Sequence, residues 1–268
     1  MHLPITALVI STYNREDSLK LCLESVLKQT VLPGEIIIAD DGSGKKTEEL
    51  INSFKKKTGI PILHIWQPDK GYQLARIRNK AFAAVTAEYI IQVDGDLILD
   101  KRFIADHLKM AAKNIFTSGT RAMLNPELTQ QLLSGSVAIN DVKKHGSKIT
   151  KKYNAYRNLL LCEMLFRLNS SRKNYKHVLG CNMAFWKSDL ETVNGYNETI
   201  TGWGKEDNEL AVRLQNAGVQ LRLIKHAAVA YHLHHPTAIL SSVPANEQLL
   251  EKAIEEKVIY VPLGLNAH

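Results

Sequence analysis

Two carboxylates one residue apart, Asp94 and Asp96 with Gly95 between them, are the side chains best placed to do chemistry. They close an apolar run, Glu88-Tyr89-Ile90-Ile91-Gln92-Val93, that reads as a buried strand. Desolvating two carboxylates at the end of a core strand is costly unless a cation meets them, and a divalent metal carrying a phosphate-bearing ligand is such a cation. The same triplet also suits an ordinary turn after a strand. A second acidic pair, Asp40-Asp41, follows the run 35–39 and leads into Gly42-Ser43. Further on, Gly202-Trp203-Gly204-Lys205-Glu206-Asp207 joins two glycines, a large aromatic and two acids at the start of a helix. The free N–H groups and partial positive charge at that end favour ionised carboxylates, whether as caps or as acceptors of a proton from a sugar hydroxyl. Late in the chain His232, His234 and His235 offer three imidazoles in four positions, with His232 and His234 on one face if the preceding strand continues.

These residues need a frame, and the first hundred positions supply strand and helix signals in alternation. Strands are predicted at 5–11, 35–39, 61–66 and 88–93, and helices at 18–29, 46–57 and 74–85. The helix over 46–57 turns Leu50, Ile51 and Phe54 inward. Repeated units of this kind make an α/β fold with a mostly parallel, Rossmann-like central sheet and helices on both faces. Ligands of such sheets collect at the carboxyl ends of the strands. Thr12-Tyr13-Asn14, Asp40-Asp41-Gly42-Ser43 and Asp94-Gly95-Asp96 would then share one rim. Beyond it the sequence predicts a helix over 102–112, a strand over 115–122 and a helix start at Asn125-Pro126-Glu127. The last third reads as strands at 178–186, 220–224 and 227–231, a helix at 205–217 and a terminal helix at 247–258.

A chain of 268 residues with 45% hydrophobic content can bury one large core. No apolar run approaches the roughly 18 residues of a membrane span, and a strand starting at Ile5 leaves no room for a signal peptide, so the expected location is cytoplasmic. Cys22, Cys162 and Cys181 are odd in number and share no ligand spacing, which makes them reduced core residues. The net charge of +7 is concentrated between 143 and 176, where ten Lys/Arg face the one acid Glu163. Basicity confined to one segment, with no Cys/His finger and no repeat, argues against a nucleic-acid partner. Within that segment Tyr153, Tyr156, Leu160 and Met164 follow helical spacing, with Leu161, Leu165 and Leu168 alongside. The pattern predicts an amphipathic helix with a cationic border, either packed on the core or held peripherally on the inner face of a membrane.

Taken in order, the motifs resemble the inverting glycosyltransferases of family 2, which have the GT-A fold. Val9-Ile10-Ser11-Thr12-Tyr13-Asn14-Arg15, Ile38-Ala39-Asp40-Asp41-Gly42-Ser43, Gly71-Tyr72-Gln73 and Arg78-Asn79 match the nucleotide-binding half, and Asp94-Gly95-Asp96 stands at the metal-binding triplet. Gly180-Cys181-Asn182 through Asp207 looks like the acceptor half shared with galactosyltransferases and chondroitin-type polymerases. The resemblance covers about residues 3–236. It implies one catalytic domain over 1–268, with a nucleotide-sugar half at 3–100, an acceptor half at 101–236 holding a helical basic insertion at 134–177, and a helical tail at 237–268. It implies that Tyr13 stacks on uracil, that Asp41 accepts from the ring N–H near Ser11, and that Arg78 helps hold the nucleotide. Asp94 would reach the ribose or a metal-bound water, and Asp96 would coordinate Mn2+ or Mg2+ with His232 as the other protein ligand and His234 close behind. Asp207 would be the general base, with Glu206 and Trp203 orienting the sugars. The expected reaction moves a sugar from a UDP-sugar to a glycan or lipid-linked glycan hydroxyl, with a β-linked product, in bacterial surface polysaccharide synthesis. A sugar-1-phosphate nucleotidyltransferase would need a Gly-rich phosphate loop, absent near 11–18. An inactive sugar-binding module would not need Asp94, Asp96 and Asp207 together.

Overall fold

The computed structural model describes residues 4–169, 175–236 and 243–268. Aliphatic runs buried on both sides make the central strands: every residue of β1 (Thr6–Thr12) is buried, as are all but one in β2 (Glu35–Asp40) and in β4 (Tyr89–Asp94). Such strands cannot face water, so helices must cover both faces. On one side Leu8, Ile10, Ile36 and Ile38 pack against α1 (Glu16–Val26) and α2 (Lys45–Lys55). On the other, Ala7, Val9, Ile37 and Ala39 pack against α3 (Leu74–Ala84). The period-2 alternation of each strand therefore feeds two separate cores.

With β3 (Ile62–Trp66), β6 (Ile115–Gly119), β9 (Asn182–Trp186) and β10 (Gln220–Ile224), these strands form a seven-stranded sheet in the order β10-β6-β9-β4-β1-β2-β3. Only β9 runs antiparallel to its neighbours. This is the mostly parallel, helix-covered GT-A arrangement that the motifs imply. The sequence did not suggest a second sheet, which holds β5 (Leu97–Leu99), β7 (Ala122–Leu124), β8 (Ile149–Thr150) and β11 (Ala230–His232) in the order β5-β11-β7-β8. The strand predicted over 115–122 is accordingly two strands, one in each sheet, broken at Thr120-Arg121. The Asn125 side chain caps α5 (Pro126–Leu133) by accepting from Leu128 N–H at 2.8 Å, as its sequence predicts.

The basic insertion is helical, as expected, but it is broken into pieces. In place of one amphipathic helix there are 3-10 turns at Ile139–Lys148 and Lys152–Ala155 and then α6 (Leu159–Asn169). The break falls where Arg157 turns inward and binds both oxygens of buried Asp106, at 2.8 and 2.6 Å, while Asn158 N–H donates to His226 O. The cationic border is also largely neutralised by acids distant in sequence or outside the segment. Lys143 pairs with Asp100, Lys144 with Asp141, Lys148 with Glu127, and Arg167 with Glu163 inside it. Arg172 and Lys173 lie outside the described residues. Leu160, Met164 and Leu168 point outward, 85%, 50% and 71% exposed.

Three further helices complete the frame: α4 (Phe103–Met110), α7 (Lys187–Val193) and α8 (Glu206–Asn216). The terminal helix α9 (Val243–Glu255) packs on α8 through Val212, Leu250 and Ala253. The three cysteines are buried free thiols, as their spacing implies. No helix among the described residues is long and apolar enough to cross a membrane.

Candidate active site

Parallel register fixes the rim. Ser11 lies opposite Asp94 and Thr12 opposite Asp40, so the polar ends of β1, β2 and β4 are neighbours. Gly95 N–H donates to Ser11 O at 2.8 Å, and a Cβ on Gly95 would stand 3.0 Å from that oxygen, so a glycine suits this close crossing. Past it the chain enters β5, which pairs antiparallel with β11, His232 opposite Leu97. That pairing, with Leu233 N–H donating to Asp96 O at 3.0 Å, carries the late histidines to the acidic turn.

The result is a cluster of Asp96, His232 and His235 whose donor atoms lie within 4.8 Å of one another. Asp96 Oδ2 is 3.0 Å from His235 Nε2 and 3.6 Å from His232 Nε2. Burial resists ionisation of Asp96, but the bond from His235 and the imidazole charges hold its carboxyl below the usual range. Burial pushes His232 down to about 4, which keeps its imidazole neutral and its ring nitrogen free to act as a ligand. Asp96 Oδ1 and His232 Nδ1 are buried and have no hydrogen-bond partner among the described residues. One carboxylate, two imidazoles and two orphaned polar atoms fit a divalent cation. His234 does not join the cluster: β11 stops at His232, so the expected alternation does not continue, and His234 is exposed with its N–H on Thr129 Oγ1. The turn brings His235 back instead.

A second centre is built around Arg78, which is only 1% exposed. Its Nε donates to Ser11 Oγ at 3.2 Å, Nη2 to Asp94 Oδ1 at 3.0 Å and Nη1 to Asp207 Oδ1 at 2.9 Å. The arginine thus lies beneath the rim and ties carboxylates from β4 and α8 together. Burial pushes Asp94 up against the opposing charge of Arg78. Asp207 also accepts from Gly180 N–H at 3.0 Å through Oδ2 and lies 2.8 Å from the Tyr196 hydroxyl through Oδ1. Glu206 is buried with Oε2 unpartnered among the described residues, and burial, reinforced by Asp207, pushes it up to about 7. Trp203 stands half-exposed in a loop whose flanking glycines adopt φ of +73° and +104°.

The third group lies beyond the end of β2. Asp41 accepts from Gln67 Nε2 at 2.6 Å and from Gln73 N–H at 2.9 Å, and burial raises its carboxyl. Tyr13 is half-exposed, and its hydroxyl donates to Asp69 at 2.7 Å. Sequence reasoning missed Tyr196, Gln92, Gln67 and Asp69, and also Arg121, whose Nη1 donates to Cys181 Sγ at 2.9 Å. One signal was available, since Gln92 is the lone amide inside the apolar run of β4.

Residues 7–192 match the family described as Glycosyl transferase family 2, and 164–236 match the one described as N-terminal domain of galactosyltransferase. The chondroitin synthase of Escherichia coli is 29% identical over 86% of this chain and 35% of its own length, and that of Pasteurella multocida 26% over 95% and 27%. The chain therefore spans about a third of the length of these relatives. Among solved structures, the Pyrobaculum calidifontis mannosyltransferase in complex with GDP-Man and Mn2+ superposes with TM-score 0.63 at 16% identity, over 95% of this chain and 65% of that one. Staphylococcus aureus TarS gives 0.63 at 14%, over 98% and 41%. The first match takes in the polar rim, the acidic turn and all of β9, well over half of the sequence, and on it the chain belongs to glycosyl transferase family 2.

Proposed function

We propose that the chain transfers a sugar from a UDP-sugar to a hydroxyl of a glycan acceptor with inversion, giving a β-linked product. The observation that carries this reading is the union, at one sheet edge, of the Asp96-His232-His235 cluster with the Arg78-linked carboxylates Asp94 and Asp207. In this reading Tyr13 and Asp41 take the uracil ring and its N–H, with Ser11 and Asp94 toward the ribose. Asp96, His232 and His235 hold Mn2+ or Mg2+, and the mixed carboxylate and imidazole set favours the former. When bound, the metal stabilises the charge that develops on the leaving diphosphate.

Asp207 takes the proton of the acceptor hydroxyl as it attacks the anomeric carbon from the face opposite the leaving group. A carboxylate suffices as the acceptor because the hydroxyl proton becomes strongly acidic as the new bond forms. Glu206 and Trp203 orient the sugars beside it. Chondroitin synthases among the relatives support a polysaccharide acceptor in a bacterial setting. The exposed Leu160, Met164 and Leu168 support peripheral contact with the inner face of a membrane that carries a lipid-linked acceptor.

The test is UDP release from UDP-glucose, UDP-galactose, their N-acetylamino forms and UDP-glucuronate, with and without Mn2+. One donor is expected to give metal-dependent release that rises with an oligosaccharide acceptor. Metal-dependent UDP binding with no release from any donor would instead make this a binding module.

A further inference from the structure

We infer that Tyr196, a fully buried residue in the loop between α7 and α8, is the positioning residue that fixes which oxygen of Asp207 receives the proton. The inference rests on the reading of Asp207 as the base. The Tyr196 hydroxyl is 2.8 Å from Asp207 Oδ1 and 3.0 Å from Gln92 Oε1, and it has one proton for these two acceptors. An ionised carboxylate makes the stronger, charge-assisted bond. The phenol oxygen then accepts from Gln92 Nε2 at 2.9 Å and from Arg78 Nη1 at 3.3 Å, which leaves the hydroxyl fully used. Gln92 is itself oriented, since the same Nε2 donates to Gly180 O at 2.7 Å.

A carboxylate has about four acceptor directions, two on each oxygen. Asp207 Oδ1 takes Arg78 and Tyr196, and Oδ2 takes Gly180 N–H. Among the described residues nothing takes the second direction on Oδ2, and the acceptor proton goes there. The approach at Gly180 is tight as well, because a Cβ on it would stand 2.1 Å from the carboxylate oxygens.

The loop that delivers Tyr196 is clamped at several points. Asn79 accepts from Tyr196 N–H and donates to Tyr196 O, both at 2.8 Å. Arg213, buried beside its partner Glu209, donates to Val193 O at 2.6 Å and to Gly195 O at 2.7 Å. The Tyr196 ring stacks on Phe82 at 5.9 Å. Arg78 and its chain neighbour Asn79 thus hold the same tyrosine, one at the hydroxyl and the other at the backbone.

The experiment compares Tyr196→Phe with wild type by a carboxyl-carbon NMR titration of Asp207, identified by its loss in Asp207→Asn, and by steady-state kinetics with the donor found in the UDP-sugar screen. Phenylalanine keeps the ring packing and removes one bond to the ionised form. The Asp207 midpoint should therefore rise by about half to one pH unit, with Arg78, Glu206 and Asp94 still facing it. kcat should fall about tenfold or more with donor KM unchanged, and its acid limb should move up with the midpoint. In an Asp207→Asn background the same change should cost nothing further. Asn79→Ser, which loosens the clamp without touching Asp207, should give a smaller shift of the same sign. An unmoved midpoint in Tyr196→Phe, or an equal loss in both backgrounds, overturns the inference. If Asp207→Asn alone keeps wild-type turnover, it is the base assignment that fails, and the titration still reads the Tyr196 contact independently.

Discussion

Asp207 accepts at both oxygens and still has one open direction, so its replacement by Asn should keep the shape of the pocket and lose the proton acceptor. Transfer is expected to fall by about 10² to 10⁴ while UDP affinity stays near wild type. Parallel turnover and UDP titrations check this, and an Asn variant with wild-type turnover removes the assignment. At the metal cluster, His232→Ala and His235→Ala should each weaken Mn2+-dependent UDP binding at least about tenfold, whereas His234→Ala should leave it unchanged. Glu206 makes a prediction of a different kind. Its carboxyl holds a proton more tightly folded, near 7, than unfolded, near 4.5, so it favours the folded state at low pH and that preference is lost as pH rises through the window. The thermal midpoint of metal-free protein should therefore drop between those values, and Glu206→Gln should flatten the slope. At this scale Asp96 and Asp207 were legible because acids at a strand end or a helix start stand out locally. His235 was not, because its place depends on a turn after β11, and Tyr196 was not, because nothing near it in sequence marks a partner at position 207.

Elements were legible where period alone decides them. β1, β2 and β4 and their intervening helices follow from alternating and 3.6-residue patterns, and parallel pairing then places their acidic ends together. The 115–122 run misleads because one apolar stretch serves two sheets, and the division is made by tertiary partners. Helical spacing through 153–164 misleads for the same reason: Arg157 takes up Asp106 and stops the helix. Asp106 also accepts from Ala228 N–H at 3.1 Å, so this pair joins α4 and the turn before α6 to the segment leading into β11. Arg157→Ala should destabilise the protein by about 2–4 kcal/mol by leaving a buried carboxylate uncompensated. Lys144→Ala, which breaks an exposed pair, should cost no more than about 0.5 kcal/mol. Urea unfolding of the two variants separates these outcomes, and equal effects would deny the Arg157 pair its structural role.

For the whole molecule, the surplus of positive charge says less than its total suggests. Among the described residues, five of the cations in the basic insertion have carboxylate partners, so a steep salt dependence is not expected of it. Membrane contact, if it is made, should instead depend on the outward face of α6. Co-sedimentation with vesicles rich in anionic lipid at low salt should occur and be lost in Leu160→Asp/Met164→Asp, with donor hydrolysis spared. Wild-type protein that stays in the supernatant would remove this role.

The small sheet holds the metal cluster by a slender thread of pairing. β5 and β11 are three residues each, and adjacent residues of β11 face opposite ways, Tyr231 into the packed core and His232 toward Asp96. A slip of one position would exchange those two faces. The surroundings of Tyr13 and Asp41 and the Arg78-Asp207 centre would survive, since both rest on the large sheet and its helices. Damage to β5 or β11 should thus yield a folded protein that still recognises nucleotide and no longer answers to metal, a failure distinct from unfolding and one to look for among variants far from the rim.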